Sequence, residues 1–164
     1  MLRDAKTQEQ ATYLALSGAF LALFGLFSSR RRRKRDIERL ASRDLVMLGF
    51  AVYRLGHLIS FDKVTEPLRQ PFTETKMDDF GAAMTVEPRG VGVRRALGEL
   101  ISCPICSGTW VAAVLVYALN LFPGPARIFT TIQGAIGFGE VLHSLTEALS
   151  WTAARARKEV GRSG

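Results

Sequence analysis

Apolar residues are concentrated in four clusters along the chain, at positions 11–27, 45–61, 105–122 and 128–151. A transmembrane helix needs about 20 mostly apolar residues, with about 17 as the lower limit. The first cluster just reaches that limit, and the third and fourth exceed it. The pattern predicts an all-α fold, that of a helical integral membrane protein.

The second cluster, 45–61, is harder to place in a membrane. It carries Arg54 and His57 in its middle, and Asp62 follows it directly. A central arginine costs about 2.5–3.5 kcal/mol on membrane insertion. If this segment does not cross, nearly all lysines and arginines lie on the cytoplasmic side, as the positive-inside rule favours. We therefore predict three transmembrane helices plus one half-inserted or interfacial helix, the alternative being a four-helix transmembrane bundle.

The clusters divide the chain into six parts. A connector with three prolines and two turn signals separates the second cluster from the third, and a Pro-Gly-Pro break separates the third from the fourth. The predicted parts are an N-terminal membrane anchor at 1–29, a basic cytoplasmic loop at 30–44, the half-inserted helix at 45–61, a polar cytoplasmic connector at 62–102 with a short helix over 94–100, a transmembrane helical hairpin at 103–151 and a basic tail at 152–164.

The net charge is +7, and the positions of the basic residues are more informative than this total. An unbroken basic run follows the first apolar cluster directly: Arg30, Arg31, Arg32, Arg33, Lys34 and Arg35. Beside a membrane span, such a run fixes orientation and contacts anionic lipid head groups more often than it binds nucleic acid. We expect a lipid bilayer with anionic head groups as the partner of this run, and not nucleic acid.

The first apolar cluster has small residues at three- and four-residue spacing, at Ala15, Gly18, Ala22 and Gly25. Small residues at this spacing let a second helix approach closely. The pattern is compatible with a helix–helix protein partner or a homo-oligomer, and equally with a lipid-facing anchor.

The candidate chemistry lies in Cys103-Pro104-Ile105-Cys106, at the start of the third cluster. As a dithiol, Cys103 and Cys106 would be the catalytic pair of a thiol–disulfide oxidoreductase, with the second thiol above the free N–H groups of the first helical turn. As ligands, they would bind zinc or iron together with His143 or His57, and a close hairpin would bring Cys106 level with His143. The third interpretation is a structural pair of small apolar side chains.

Several motifs together resemble a bacterial family of small membrane proteins of unknown function that includes a Bacillus sporulation-associated protein. They are Tyr53-Arg54-Leu55, Asp62, Pro67-Leu68-Arg69 and Cys103-Pro104-x-Cys106-x-Gly108-x-Trp110. The resemblance covers about 45–151, and Gly56 stands where a threonine is expected. It implies a helical protein of the bacterial cytoplasmic (inner) membrane, without an established reaction, to which the N-terminal anchor and the basic run are an addition.

Charged residues near the membrane segments form a predicted polar cluster: Arg54, Asp62, Arg69, Glu140 and Glu147. A carboxylate facing lipid is costly, so Glu140 and Glu147 should face protein or water. We expect Arg54 to pair with one of them rather than with Asp62, two helical turns away; the alternative is an arginine that extends to lipid phosphate.

The function predicted from these features is not enzymatic. We expect a multi-pass membrane protein that acts through membrane partners or in envelope assembly. The alternatives are a membrane-embedded thiol oxidoreductase and a metal-binding protein, both using Cys103 and Cys106.

Overall fold

The computed structural model describes residues 2–30, 42–77 and 84–160. The elements follow in the order α1 (Leu2–Arg30), α2 (Ser42–Phe61), a 3-10 turn (Lys63–Thr65), α3 (Glu66–Arg69), β1 (Thr73–Met77), β2 (Met84–Pro88), α4 (Val93–Ser102), α5 (Pro104–Leu121) and α6 (Pro123–Val160). The predicted all-α fold is confirmed, apart from one antiparallel pair of short strands, β1 and β2.

Three helices of the described residues are long and apolar enough to cross a membrane, namely α1 (over Asp4–Ser29), α2 and α5. The sequence also predicts three transmembrane helices, but it includes the segment 128–151 among them in place of α2. Helix α2 belongs to it because the helix begins at Ser42 and reaches 20 residues, which offsets the central Arg54. The segment 128–151 lies within the 38-residue helix α6, where polar side chains such as Gln133 and Glu140 dilute the apolar ones.

Helix α2 is central, because it packs against both α5 and α6. Leu48 and Ala51 of α2 form a buried core with Leu115 of α5. Gly56, near the end of α2, lies against the carbonyl group of Pro104, at the start of α5. The end of one helix therefore meets the start of the other, and α2 and α5 run antiparallel.

A face of small residues on α6 packs against α2. Its buried members recur at three- and four-residue spacing: Ala126, Thr130, Gly134 and Gly137. A Cβ atom at Gly134 would lie 2.7 Å from the carbonyl oxygen of Met47, and one at Gly137 would lie 2.3 Å from that of Phe50. Glycine is therefore required at both positions, and the order of the contacts shows that α2 and α6 run parallel.

Helix α1 lies along α5 through two aromatic pairs. The rings of Phe20 and Trp110 meet edge to face with their centroids 5.2 Å apart, and those of Phe27 and Tyr117 stack at 4.1 Å. Both pairs advance by seven residues along each helix, so α1 and α5 run parallel.

The polar residues near the start of the chain form the first turns of α1, and these turns contact α4. The Tyr13 hydroxyl donates a hydrogen bond to the Glu99 carboxylate. Arg95 lies 3.1 Å from Glu99 and 3.9 Å from Glu9. These polar contacts fix the N-terminal end of α1 beside the connector.

The four long helices consequently alternate in direction along the chain. The end of α1 at Arg30, the start of α2 at Ser42 and the α5–α6 junction at Phe122 lie at one end of the bundle. Asp62 and Cys103 lie at the opposite end. This arrangement gives α2 the position of a bundle helix, as in the four-helix alternative considered from the sequence.

The connector has more structure than the sequence predicts. Its predicted helix, 94–100, lies within α4, but the strands β1 and β2 were not predicted. Thr73 pairs with Pro88 and Met77 with Met84. One of the two turn signals of the connector, Asp78-Asp79-Phe80-Gly81, lies outside the described residues. The tail is not separate either, because α6 continues to Val160.

Candidate functional site

Arg54 forms the centre of a polar site at the end of α2. Its Nη2 atom lies 2.7 Å from Oδ2 of Asp62, and its Nη1 atom lies 2.9 Å from Oε1 of Glu140 on α6. The arginine side chain is 18% exposed, and the two carboxylates are 31% and 35% exposed. One guanidinium therefore joins two carboxylates from different segments, in a half-buried setting where charges need partners.

The structure modifies the predicted pairing of Arg54. The sequence favoured Glu140 or Glu147 and treated Asp62 as too far along the chain. Asp62 is reached because α2 ends at Phe61 and the chain turns there, with Asp62 in an extended conformation before the 3-10 turn. Glu147 lies on the exposed surface of α6, two helical turns beyond Glu140.

Arg69 has a different role from the one its place in the predicted cluster indicated, because it caps α2. It is 4% exposed, and Nη1 donates to the carbonyl of Asp62 at 2.6 Å while Nη2 donates to that of Phe61 at 3.2 Å. The last carbonyl groups of a helix have no partner within the helix and carry partial negative charge. A guanidinium at this point satisfies them and neutralises the helix end.

Two hydroxyl groups fix the same helix end. The Thr65 hydroxyl lies within hydrogen-bond distance of the carbonyls of Leu58 and Asp62, and it accepts a bond from Arg69. Ser60 is fully buried and donates to the carbonyl of Ile101 on α4 at 2.7 Å. The end of α2 is therefore held by α3 and by α4.

Cys103 is the N-cap residue of α5. Its Sγ atom accepts a hydrogen bond from the backbone N–H of Cys106 at 3.3 Å, and Ser107 N donates to the Cys103 carbonyl at 3.0 Å. Hydrogen bonds from the Cys106 thiol and backbone lower the pKa of the Cys103 thiol, although burial opposes them. The predicted position of Cys106 over the free N–H groups is therefore wrong: Cys103, the first cysteine, occupies it, because Pro104 begins the helix one residue later.

Both cysteines are free thiols, Cys103 half-buried and Cys106 exposed. The buried Gly56 on α2 allows the start of α5 to approach α2 closely. A Cβ atom at Gly56 would lie 2.6 Å from the Pro104 carbonyl oxygen. Threonine, which the family resemblance leads one to expect at this position, would collide with the backbone of the cysteine motif.

The predicted metal site is not assembled. No group of three or more His, Cys, Asp or Glu side chains within residues 2–30, 42–77 and 84–160 is placed to bind a metal ion. His143 lines a cleft with Arg54 and not with Cys106, because α6 packs on α2. Binding of zinc or iron by Cys103, Cys106 and His143 or His57 therefore stays a prediction, for which the described residues form no group of three ligands.

Both histidines instead line one polar cleft, which has a volume of about 540 Å³ and lies between α2 and α6. His57 and His143 share it with the charged group of Arg54, Asp62 and Glu140. The His57 ring lies between the rings of Tyr53 and Phe61 on successive turns of α2, and its Nδ1 atom is 3.2 Å from the Tyr53 carbonyl. The sequence analysis singled out the three charged residues and both histidines of this cleft, but it did not predict that the histidines lie beside the charged group.

The basic run begins at the end of α1. Arg30 is the last residue of α1. Arg31, Arg32, Arg33, Lys34 and Arg35 lie outside the described residues. An ion pair that the sequence did not predict, between Asp44 and Arg127 at 3.4 Å, joins the starts of α2 and α6 at the same end of the bundle.

The sequence profile of a family described as "Protein of unknown function (DUF1360)" matches residues 47–146, which is more than half of the 164 residues. The chain belongs to this family. The DUF1360 region contains Arg54, Asp62, Arg69, Glu140 and both cysteines, so the whole polar site lies within it. It leaves out α1 and the basic run.

Two curated relatives come from Bacillus subtilis (strain 168). The chain is 33% identical over 104 residues to "Sporulation protein YjcA", a match that spans 62% of this chain and 88% of the relative. It is 37% identical over 125 residues to "UPF0713 protein YngL", spanning 66% of this chain and 93% of the relative. The predicted resemblance to a family of unknown function with a sporulation-associated member is thereby confirmed. No solved structure matches the chain.

Proposed function

We propose that the chain is an integral protein of a bacterial cytoplasmic (inner) membrane, and that it acts through partners in the bilayer rather than by catalysis. The observation that carries this proposal is the exposure of its apolar helices. Only 0%, 22% and 17% of the apolar windows of α1, α2 and α5 are buried. Soluble monomers rarely expose contiguous apolar patches of more than a few hundred Å². Lipid acyl chains or other helices would cover this surface.

The form of α1 supports a helical partner. Helix α1 contacts α5 through its aromatic side chains, whereas Cβ atoms built at Gly18 and Gly25 would have no atom within 4 Å. A helix of a membrane protein, or α1 of a second copy, can approach closely at such positions. The basic run from Arg30 to Arg35 follows this helix and would meet anionic head groups.

One relative is named a sporulation protein. The proposed process is therefore assembly of the cell envelope, including its assembly during sporulation. In this role the polar site would hold α2, α6 and the connector in one arrangement. Nucleic acid is not expected as a partner.

Membrane extraction tests the proposal. Membranes from cells expressing the full chain are washed with sodium carbonate at high pH, which releases peripheral proteins. An integral protein stays in the membrane pellet and enters solution only with detergent. Release of the chain by carbonate alone would contradict the proposal.

A second candidate function, thiol–disulfide exchange, is favoured by one specific observation. The Cys103 Sγ atom accepts the Cys106 N–H, and the pKa of Cys103 is lowered by its neighbour, as in a nucleophilic thiol. The exposed Cys106 would then be the resolving thiol. Reversible labelling of both thiols as the potential of a glutathione buffer is varied would support it; labelling that does not depend on potential would exclude it.

A further inference from the structure

An apolar groove of about 960 Å³ runs between α1, α2 and α5. Its walls include Phe20, Val52, Ala112 and Val116. The groove extends along α5 from Pro104, at the start of the helix, to Tyr117, near its end. Its volume is at the upper end of the roughly 300–1,000 Å³ that ligand sites occupy.

The groove adjoins the polar cleft between α2 and α6. Tyr53 and His57 line both, so these two residues form a ridge on α2 with an apolar cavity on one side and a charged one on the other. The cleft lies at the Asp62 end of the bundle, where the groove begins at Pro104. The two cavities together therefore match the shape of an amphiphilic molecule. The polar cleft lies at one end, and the apolar groove extends from it along the helices.

The charge of the cleft indicates which head group would fit. Among the side chains that line the cleft, two carboxylates, Asp62 and Glu140, contact one guanidinium, so formal negative charge exceeds formal positive charge by one. A carboxylate can accept about four hydrogen bonds, and the bond of each to Arg54 uses only part of that capacity. A cationic amine is therefore favoured there, while His143 and Ser144 in the same cleft can donate to a phosphate.

We propose that the two cavities form one binding site for an aminophospholipid of the surrounding bilayer. An acyl chain lies in the groove, and the head group crosses the ridge of Tyr53 and His57 so that its ammonium binds Asp62 and Glu140. The inference goes beyond the proposed function in naming a ligand, and it rests on that function because the lipid comes from the membrane. Carbonate extraction tests the membrane location separately, so failure of lipid binding in a carbonate-resistant protein would overturn this inference alone.

The chain offers substitutions that fill each cavity without a collision at the backbone. Gly49 lines the groove and Gly139 lines the cleft, and a Cβ atom at either would have no atom within 4 Å. Gly49→Leu and Gly139→Leu are therefore expected to fold and to occupy the groove and the cleft, respectively. Ala135→Leu, at an exposed position of α6, is the matched control. Melting temperature in detergent verifies that each variant is folded.

The measurement is native mass spectrometry of the full chain, delipidated in detergent and titrated with phosphatidylethanolamine or phosphatidylglycerol of the same acyl chains. The wild type and Ala135→Leu should bind one phosphatidylethanolamine about tenfold more tightly than phosphatidylglycerol, because the ammonium gains charge-assisted hydrogen bonds. Gly49→Leu and Gly139→Leu should each lose about tenfold in affinity. Glu140→Gln should lose the preference for the amine.

Two results would overturn the proposal. Equal or tighter binding of phosphatidylglycerol by the wild type would mean that the cleft does not select an amine. Unchanged phosphatidylethanolamine binding in folded Gly49→Leu and Gly139→Leu would mean that lipid associates elsewhere on the surface.

Discussion

Arg54 and Glu140 face each other across the contact between α2 and α6, with Nη1 of the arginine 2.9 Å from Oε1 of the glutamate. The pair lies one turn beyond Gly137, whose contact with the carbonyl of Phe50 brings the two helices close. The small residues set the distance between the helices, and the ion pair sets their register.

We expect the loss of this pair to be non-additive. Arg54→Met leaves two carboxylates without their cation and should lower the free energy of unfolding by about 2 kcal/mol, less than for a fully buried pair because both acids are about one-third exposed. Glu140→Gln should cost less, since Arg54 retains Asp62. The double variant should be more stable than the sum of the two changes predicts, by about 0.5–1 kcal/mol.

Thermal unfolding in detergent of the two single variants and the double variant measures this coupling. Glu147→Gln, at the exposed position on the same helix, is the control and should leave the melting temperature unchanged. Simple additivity would show that Arg54 and Glu140 do not depend on each other.

The close contact between α2 and α6 leads to a second prediction, which concerns the replacement of glycine on α6. Gly137→Ala would place a Cβ atom 2.3 Å from the carbonyl oxygen of Phe50, a backbone atom that cannot turn aside. We expect a loss of about 2–3 kcal/mol, as for other overpacked contacts. Gly139→Ala, where no atom lies within 4 Å, should be neutral or more stable by about 0.5–1 kcal/mol because alanine favours helix. A similar melting temperature for the two variants would contradict the observed packing.

The direction of α2 predicts the membrane topology. Helix α2 runs antiparallel to α5 along its length. Ser42 lies at the start of α2 and Lys76 follows its end, so single cysteines at the two positions should be labelled from opposite sides of the membrane. The charge count along the sequence leads to the contrary expectation, with both positions in the cytoplasm. An impermeant thiol reagent applied to intact cells, with the native cysteines replaced, distinguishes the two. In intact cells one of the two positions should be labelled, and the other only after the cells are opened. Labelling of neither position in intact cells would restore the half-inserted helix.

The hydrogen bond at the start of α5 predicts the pH dependence of Cys103. Since the Cys106 thiol and backbone lower the pKa of Cys103, its alkylation should reach half its maximal rate at a lower pH than the alkylation of an ordinary cysteine thiol. Cys106→Ala removes the thiol donor and should move that midpoint upwards. A midpoint that stays in place would show that the Cys106 thiol has no part in the shift.

The same shift has a consequence for stability, and its sign follows from the lowered value. A group whose pKa falls on folding stabilises the protein above its unfolded pKa, and this contribution is lost as the pH falls through the folded pKa. In the absence of oxidant, the free energy of unfolding of the wild type should therefore exceed that of Cys103→Ser by more at pH 9 than at pH 6.

The sequence predicted well what depends on side-chain patterns. The apolar clusters identified the helices, and the cost of unpaired charge in a membrane indicated Glu140 as a partner for Arg54. The cap provided by Arg69 could not be predicted in this way, because its acceptors are the backbone carbonyls of Phe61 and Asp62. Every residue has a backbone carbonyl, so the pattern of residue types does not show which carbonyls will accept a hydrogen bond from a side chain.

Other features were missed for different physical reasons. Strand β1 (Thr73–Met77) is polar except for Met77, so it lacks the alternation of apolar and polar residues that indicates a strand. Gly134 and Gly137 were counted as part of an apolar run, although their three-residue spacing is a signal of close helix packing. The position of Cys103 as the N-cap depended on which residue begins α5, and helix boundaries are the least certain part of such a prediction.

The bonds of Arg69 to the end of α2 determine an order of events during synthesis. They connect residues seven and eight positions apart, and the bond between Arg54 and Asp62 also spans eight. Loops of this length close in less than a microsecond, whereas a ribosome adds about 5–20 residues per second. Arg54 therefore acquires a counter-charge, and α2 acquires its cap, several seconds before Glu140 is made. In the membrane location proposed above, the arginine would enter the lipid already paired with Asp62, and α6 would later pack against a helix whose C-terminal end is already capped.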